Sequence, residues 1–282
     1  MVIFAPQEWE HGADLDGAEL QRALRDHIRA AGLVLIRDVE LDAERFVQIV
    51  EALDPVTLPW DATDTAPGDP RVQVMRVEAV SGGRRTSSAQ HWHSDQSFAA
   101  RPPGFTALYC VEAPHAGGGT QFCGMRLGGI APSLLAALDG TRAWIRHSFR
   151  DSLGVLLRGR RSPERLAVLD DRYPDVWHPL IREQPATGIP AMFLSPLTAR
   201  TLRTGDSETE ISASEPYARI LAAATSRANT YLHRWRPGDL LVWDNSVAMH
   251  RREPGAMEGG RAHWRVVTRG LEVKAAGGPA VP

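Results

Sequence analysis

Two short stretches hold the residue types that bind a transition metal: His91-Trp92-His93-Ser94-Asp95-Gln96-Ser97-Phe98, and about 150 residues later Trp243-Asp244-Asn245-Ser246-Val247-Ala248-Met249-His250. On an extended strand, side chains two apart share a face, so His93 and Asp95 can grip one ion. His250 would close the set. Two neutral imidazoles and one carboxylate form the facial triad of non-haem Fe(II) oxygenases, which leaves three positions of an octahedron open. Zinc accepts the same ligand types, so the triad alone leaves both metals open.

Other residues near these stretches have plainer readings. Isolated histidines pack or sit at the surface more often than they ligate, and His11, His27, His115, His147, His233 and His263 are read that way, with His91 set apart because it flanks the motif. Arg251 and Arg252 follow a strand-like segment and read as a solvated face. Asp244 and Asn245 are turn-forming types that would hold His250 in register. The run Gly117-Gly118-Gly119-Thr120 lacks the Gly-Lys-Ser/Thr of a phosphate loop, and Ser94 and Ser97 lack a nucleophile elbow.

The elements that must position these groups are legible in outline. Leu15 to Ala31 has helical spacing through Leu20, Leu24 and Ile28, and Gly32 stops it before the strand-like Leu33-Val34-Leu35-Ile36. Asp42 to Leu53 reads as a second helix, and residues 55–90 as a loop-rich approach to a metal-binding strand. Strands follow at Phe105 to Glu112, at Thr120, and at Ala191 to Leu194, Thr230 to Trp235, Leu240 to Asp244 and His263 to Leu271. Residues 204–215 read as a polar surface loop, and the segment 141–177, rich in arginine, interrupts the strand series.

The motifs, taken together, resemble the taurine dioxygenase and 2,4-dichlorophenoxyacetate dioxygenase (TauD/TfdA) family of Fe(II)/2-oxoglutarate oxygenases. Trp92 to Phe98 matches the proximal W-H-[ST]-D-x-[ST]-F, and Pro114 to Thr120 matches P-x-x-G-G-x-T displaced by one residue. His178 to Gly188 matches H-P-L-[IV]-R-x-x-P-x-T-G, Trp235 to His250 the distal W-x-P-G-D-x-x-x-W-D-N-x-x-x-x-H, and Arg261 to Gly270 R-x-x-x-R-x-x-x-x-G. These pieces run in order from about residue 90 to 270.

The resemblance implies a mainly β fold with flanking helices, a double-stranded β-helix of jelly-roll, cupin-like form, as one domain over residues 1–282 with a lid insertion around 141–177. It implies Fe(II) on His93, Asp95 and His250, with 2-oxoglutarate and dioxygen as co-substrates. Decarboxylation of 2-oxoglutarate to succinate and carbon dioxide would be coupled to hydroxylation or desaturation of an unactivated C–H bond in a small organic substrate. An intact Asp95 disfavours halogenation. The far carboxylate of 2-oxoglutarate would meet Arg261, eleven residues past His250, and the hydroxyl of Thr120; a planar guanidinium suits that task better than an ammonium. Arg265, four residues on, and Trp60, in Pro59-Trp60-Asp61, would lie on the substrate side, and Arg265 leaves an acidic substrate open. A zinc hydrolase on the same ligands and an inactive jelly-roll binding protein are the competing readings.

Composition sets bounds consistent with this. The chain has 282 residues, enough for one substantial core, and a net charge of −2 that offers no attraction to nucleic acid or anionic membrane. Cys110 and Cys123 make no disulfide framework, which favours a reducing cytoplasm. No apolar run reaches the length of a membrane span. Oligomeric state has no sequence signature here.

Overall fold

The computed structural model describes residues 4–9, 18–61, 64–77, 90–127, 130, 132–136 and 142–276. Its largest sheet has eight strands. Along the main path these are Gln7–Trp9, Leu33–Ile36, Leu240–Asp244, Phe105–Glu112, Arg261–Thr268, Asp69–Val77 and Thr65–Ala66, while Val56–Thr57 pairs separately with Arg261–Thr268. A three-stranded sheet, Thr230–His233, Thr120–Gly124 and Ala248–Arg252, supplies the other side of the jelly roll.

The apolar runs Leu33–Ile36 and Leu240–Trp243 lack polar alternation because both of their faces are buried. Val34, Ile36, Leu240 and Val242 point outward, where they join Val72, Ala107 and Val266 under Leu24 and Ile28 of the first helix and Phe46, Val47 and Val50 of the second. Leu33, Leu35, Leu241 and Trp243 point inward and meet Leu108, Cys110, Phe122, Trp235 and Ala248. The period-2 rule therefore serves two cores from one strand. Truncating a fully buried side chain such as Leu241 to alanine costs about 2–5 kcal/mol.

The first helix, Ala18–Ala31, ends at Gly32, whose φ of 77° suits glycine, and a Cβ there would meet Val247 Cγ2 at 2.6 Å. The start of that expected helix, residues 15–17, lies outside the described residues, as does His11. The second helix is Ala43–Glu51, with the Asp42 carboxylate accepting from Arg45 N at 2.8 Å as its N-cap. No helix among the described residues is long and apolar enough to cross a membrane.

The structure corrects several expectations. Asp69–Val77, within the segment read as loop, is a nine-residue strand of the large sheet; its opening Asp-Pro disguised the alternation of Val72 and Val74 behind it. Residues 204–215 contain the strand Ser207–Glu210, whose side chains are all exposed, so the expected polar surface is there but in hairpin form. Trp144–His147, Val176–Pro179, Ile181–Glu183 and Ala199–Thr204 are among the further strands that were not read from the sequence. The metal-binding segment is not an extended strand. His93 makes a single antiparallel bridge with His250, and the chain turns at Asp95, with Gln96 at φ 46°.

Candidate metal centre and co-substrate pocket

The bridge between His93 and His250 is closed by reciprocal backbone hydrogen bonds of 3.0 and 2.9 Å, which set the two imidazoles side by side with ring centroids 4.3 Å apart. The turn after His93 then swings Asp95 to the same place. One ligand atom from each of His93, Asp95 and His250 lies within 4.8 Å of the others. His93, Asp95 and His250 do come together, but a bridge and a tight turn gather them and not the extended strand expected from the i, i+2 spacing.

The surrounding loop is fastened at several points. Ser94 Oγ donates to Ala248 O at 3.2 Å, and Ser94 N donates to Ser195 Oγ at 3.2 Å. Ser97 Oγ lies 2.6 Å from Ser195 Oγ and 2.7 Å from Thr198 Oγ1. His178 Nε2 donates to Ala99 O at 3.0 Å, which explains the histidine of the His178 to Gly188 motif as a brace for the metal turn. Ser195 and Thr198 sit in a Ser-Pro-Leu-Thr stretch with no chemical signature and were not legible in the sequence.

The protonation states suit a cation. Burial lowers His93 and pushes His250 down to about 3, so both imidazoles are neutral near pH 7. His93 Nδ1 sits 2.7 Å from His91 O, so Nδ1 carries the proton and Nε2 keeps its lone pair for a metal. Burial alone would raise Asp95, but the Arg265 guanidinium, helped by the hydroxyl of Thr106, outweighs it and holds the carboxylate well below its usual range. Arg265 Nη2 stands 2.8 Å from Asp95 Oδ1, and its Nη1 donates to Gln73 Oε1 at 3.2 Å. Neutral imidazoles beside an ionised carboxylate match the donor set that a divalent metal requires.

Arg261 and Arg265 lie on one face of the Arg261–Thr268 strand, with His263 between them. Arg261 is buried, and its Nη1 donates to Gly118 O. Among the described residues no carboxylate pairs with it, and burial together with neighbouring Arg252 pushes it down to about 10. Thr120 Oγ1 accepts from Trp235 Nε1 at 3.0 Å, and the Trp235 ring meets His263 edge-on at 4.4 Å. His263, read as an ordinary packed histidine, is fully buried, and neither ring nitrogen has a hydrogen-bond partner among the described residues.

Other expectations land elsewhere. Arg251 is half-buried, stacked over Trp92 at 4.6 Å with Nε donating to Gln121 Oε1 at 2.7 Å, so it braces the metal loop and does not form a solvated face. Asp244 does form the expected turn, accepting from Ser246 N at 2.7 Å. Asn245 instead reaches across to Asp95 N and to Thr106. Trp60 packs edge-on against Phe98, Phe149 and Tyr173 at 5.5, 5.8 and 6.2 Å. Next to it, Asp61 accepts from Arg161 at 2.9 Å and Arg165 at 3.1 Å. Arg146 pairs with Asp175 and Arg150 with Asp170, so four arginines of the 141–177 segment are engaged in ion pairs.

A jelly roll that gathers two histidines and a carboxylate, with a buried guanidinium that no carboxylate partners among the described residues, defines a class of metal-binding β-helix protein. The profile described as taurine catabolism dioxygenase TauD, TfdA family matches residues 6–268, and the chain belongs to that family. An alpha-ketoglutarate-dependent 2,4-dichlorophenoxyacetate dioxygenase of Cupriavidus pinatubonensis is 31% identical over 164 residues, 57% of this chain and 54% of that protein. A pentalenolactone F synthase of Streptomyces arenae is 32% identical over 171 residues, 57% of this chain and 56% of that protein. The matched stretch thus spans about half the length of these curated relatives. The crystal structure of a putative alpha-ketoglutarate-dependent taurine dioxygenase from Burkholderia xenovorans superposes with a TM-score of 0.76 at 21% identity, covering 99% of this chain and 96% of that one.

Proposed function

We propose that the protein is an Fe(II)/2-oxoglutarate-dependent dioxygenase that hydroxylates or desaturates a small organic substrate. The observation that carries this reading is the pairing of the His93, Asp95 and His250 cluster with a buried Arg261 that no carboxylate partners among the described residues. A buried unpaired guanidinium is costly, and a ligand carboxylate is the partner that offsets it. Family membership and relatives described as alpha-ketoglutarate-dependent support the same chemistry.

His93, Asp95 and His250 would hold Fe(II), which when bound supplies activation of dioxygen. Arg261 would take the far carboxylate of 2-oxoglutarate in a charge-assisted, bidentate manner, with the Thr120 hydroxyl beside it. The proton on His93 Nδ1 stays on that nitrogen throughout, donated to the carbonyl of His91. The chain does little acid or base work; its residues orient the co-substrate and the reacting carbon, which is where proximity contributes most of the rate. The 141–177 segment would act as a lid, seated on Trp60 and Phe98 and tied through Arg161 and Arg165 to Asp61, which excludes water from the reaction. Arg265 would face the substrate side, and because it already neutralises Asp95, an acidic substrate would have to share it. Two buried, unpaired thiols fit a reducing cytoplasm.

The test is anaerobic addition of Fe(II) and 2-oxoglutarate to the purified apoprotein, following the visible charge-transfer band of the chelate. The band is expected in the wild type, and His93→Ala and Arg261→Ala should remove or weaken it. A well-folded wild type with no band overturns the oxygenase reading.

A further inference from the structure

We infer that Thr106 and Asn245 form a one-way hydrogen-bond relay that fixes the orientation of Asp95 as a metal ligand. The inference rests on the metal-site reading above and adds two positioning residues to it. Its starting point is Trp243, whose indole N–H can only donate. That N–H meets Asn245 Oδ1 at 3.0 Å, and the backbone N–H of Asp95 approaches the same oxygen at 3.4 Å. Two donors on one side settle which end of the Asn245 amide faces them, since the flipped amide would set N–H against N–H.

With its oxygen so engaged, Asn245 presents Nδ2 to Thr106 Oγ1 at 2.9 Å. Thr106 must accept there. A hydroxyl has one proton, so that proton is directed to its other neighbour, Asp95 Oδ2, at 2.7 Å. All of these groups are buried, so water does not compete for the bonds. The strand register makes the relay possible: Trp243 pairs directly with Thr106, both on the inward face, and Asn245 follows two residues later.

The relay matters because the backbone around Asp95 does not hold its side chain in a ladder. The chain leaves the sheet at the His93 bridge and turns, with Gln96 in the left-handed region. The carboxylate is held instead from both oxygens, by Thr106 at Oδ2 and by Arg265 at Oδ1. A carboxylate tied at Oδ2 is restrained from gripping an ion through both oxygens, which keeps a coordination position open for other ligands.

The experiment is a titration of the purified, metal-free chain with Mn(II), followed by the loss of the free-ion EPR signal and the line shape of the bound ion. Thr106→Val keeps the shape and removes the donor, Thr106→Ser restores it, and Asn245→Asp turns the amide donor into an acceptor. Thr106→Val and Asn245→Asp are expected to weaken Mn(II) binding by about 10–100-fold and to alter the line shape, while Thr106→Ser binds as the wild type does. Thermal melts of the metal-free variants check folding. If Thr106→Val lacks a cooperative melt, Asn245→Asp decides the matter without changing the strand. Wild-type affinity and line shape in Thr106→Val, or a Thr106→Ser variant as weak as Thr106→Val, overturns the relay and leaves the metal site standing. A wild type that binds no Mn(II) overturns the metal-site reading and the relay with it.

Discussion

Arg261 and Arg265 stand four residues apart on the same face of one strand, and both are buried, yet their surroundings differ in kind. Arg265 is paired within the chain, with Asp95 on one nitrogen and Gln73 on another. Arg261 has the Gly118 carbonyl and no carboxylate among the described residues, with a second cation, Arg252, close enough to lower it further. The difference separates two uses of a buried charge. A charge the fold neutralises itself is part of the scaffold of the site; a charge left over marks where a ligand's opposite charge belongs.

Removing each guanidinium should therefore act with opposite sign on the ligand-free protein. Arg265→Met leaves the Asp95 carboxylate buried without its main counter-charge, and breaking a buried pair this way costs about 3–5 kcal/mol. Thermal denaturation should show that loss, and added Mn(II), which replaces the missing cation, should recover part of it. Kinetically, if an acidic substrate shares Arg265, the variant raises substrate KM while 2-oxoglutarate affinity changes little; equal losses in both would move Arg265 to the co-substrate. Arg261→Met removes a charge that no carboxylate offsets among the described residues and retains the apolar stem, so the ligand-free melt should hold or rise. Its 2-oxoglutarate affinity, measured by calorimetry with Mn(II) in place, should fall by roughly 30–200-fold, the loss of a charged hydrogen-bonded contact worth about 2–3 kcal/mol. An Arg261→Met protein that is less stable and binds 2-oxoglutarate normally would collapse the distinction.

How much of this was legible in the sequence depends on the range over which each interaction acts. Residue types that ligate metals are few, so His93, Asp95 and His250 stood out, and the doubly buried strands Leu33–Ile36 and Leu240–Asp244 announced themselves as apolar runs. The geometry joining His93 to Asp95 did not, because a single bridge followed by a turn at Gln96 has no periodicity to read. Thr106 was invisible for a related reason. A threonine in a strand is an ordinary β-branched residue until a partner 139 positions away, Asn245, directs its proton. Asn245 was noticed, but local turn chemistry suggested a local role, and register in the sheet gave it a distant one. The pairing of Arg161 and Arg165 with Asp61 across about 100 residues was likewise beyond any window of sequence.

His178 is buried as the two arginines are, but without a charge near pH 7. His178 is pushed down to about 4, chiefly by burial, with Arg182 adding to the effect against the bond to Ala99. A group with a lowered folded pKa lends stability that is fully present above its unfolded value near 6.5 and is lost as pH falls through the folded value. The window is therefore about pH 6.5 to 4, and the full difference corresponds to roughly 3 kcal/mol. His178→Gln, which keeps a donor for Ala99, should flatten the fall of melting temperature with acid relative to the wild type. Parallel curves for the two proteins would show that His178 titrates alike in both states.

The smallest effect is expected at the 141–177 segment, where charges are paired but partly wet. Asp61 is buried while Arg161 and Arg165 keep some exposure, so solvent screens the pair and its worth to stability is about 1 kcal/mol or less. Asp61→Asn retains a hydrogen-bond acceptor for one arginine and removes the charge that gathers both. If that charge seats the 141–177 segment over Trp60 and Phe98, limited proteolysis of the variant should cut faster near Arg158, Arg160 and Arg161, with the melt nearly unchanged. Binding of 2-oxoglutarate, if it rests on Arg261 as proposed, should stay as it was. A variant that resists protease as the wild type does would assign the hold on this segment to the aromatic packing of Trp60 alone, and one that also lost 2-oxoglutarate would mean that co-substrate binding is coupled to the seating of this segment.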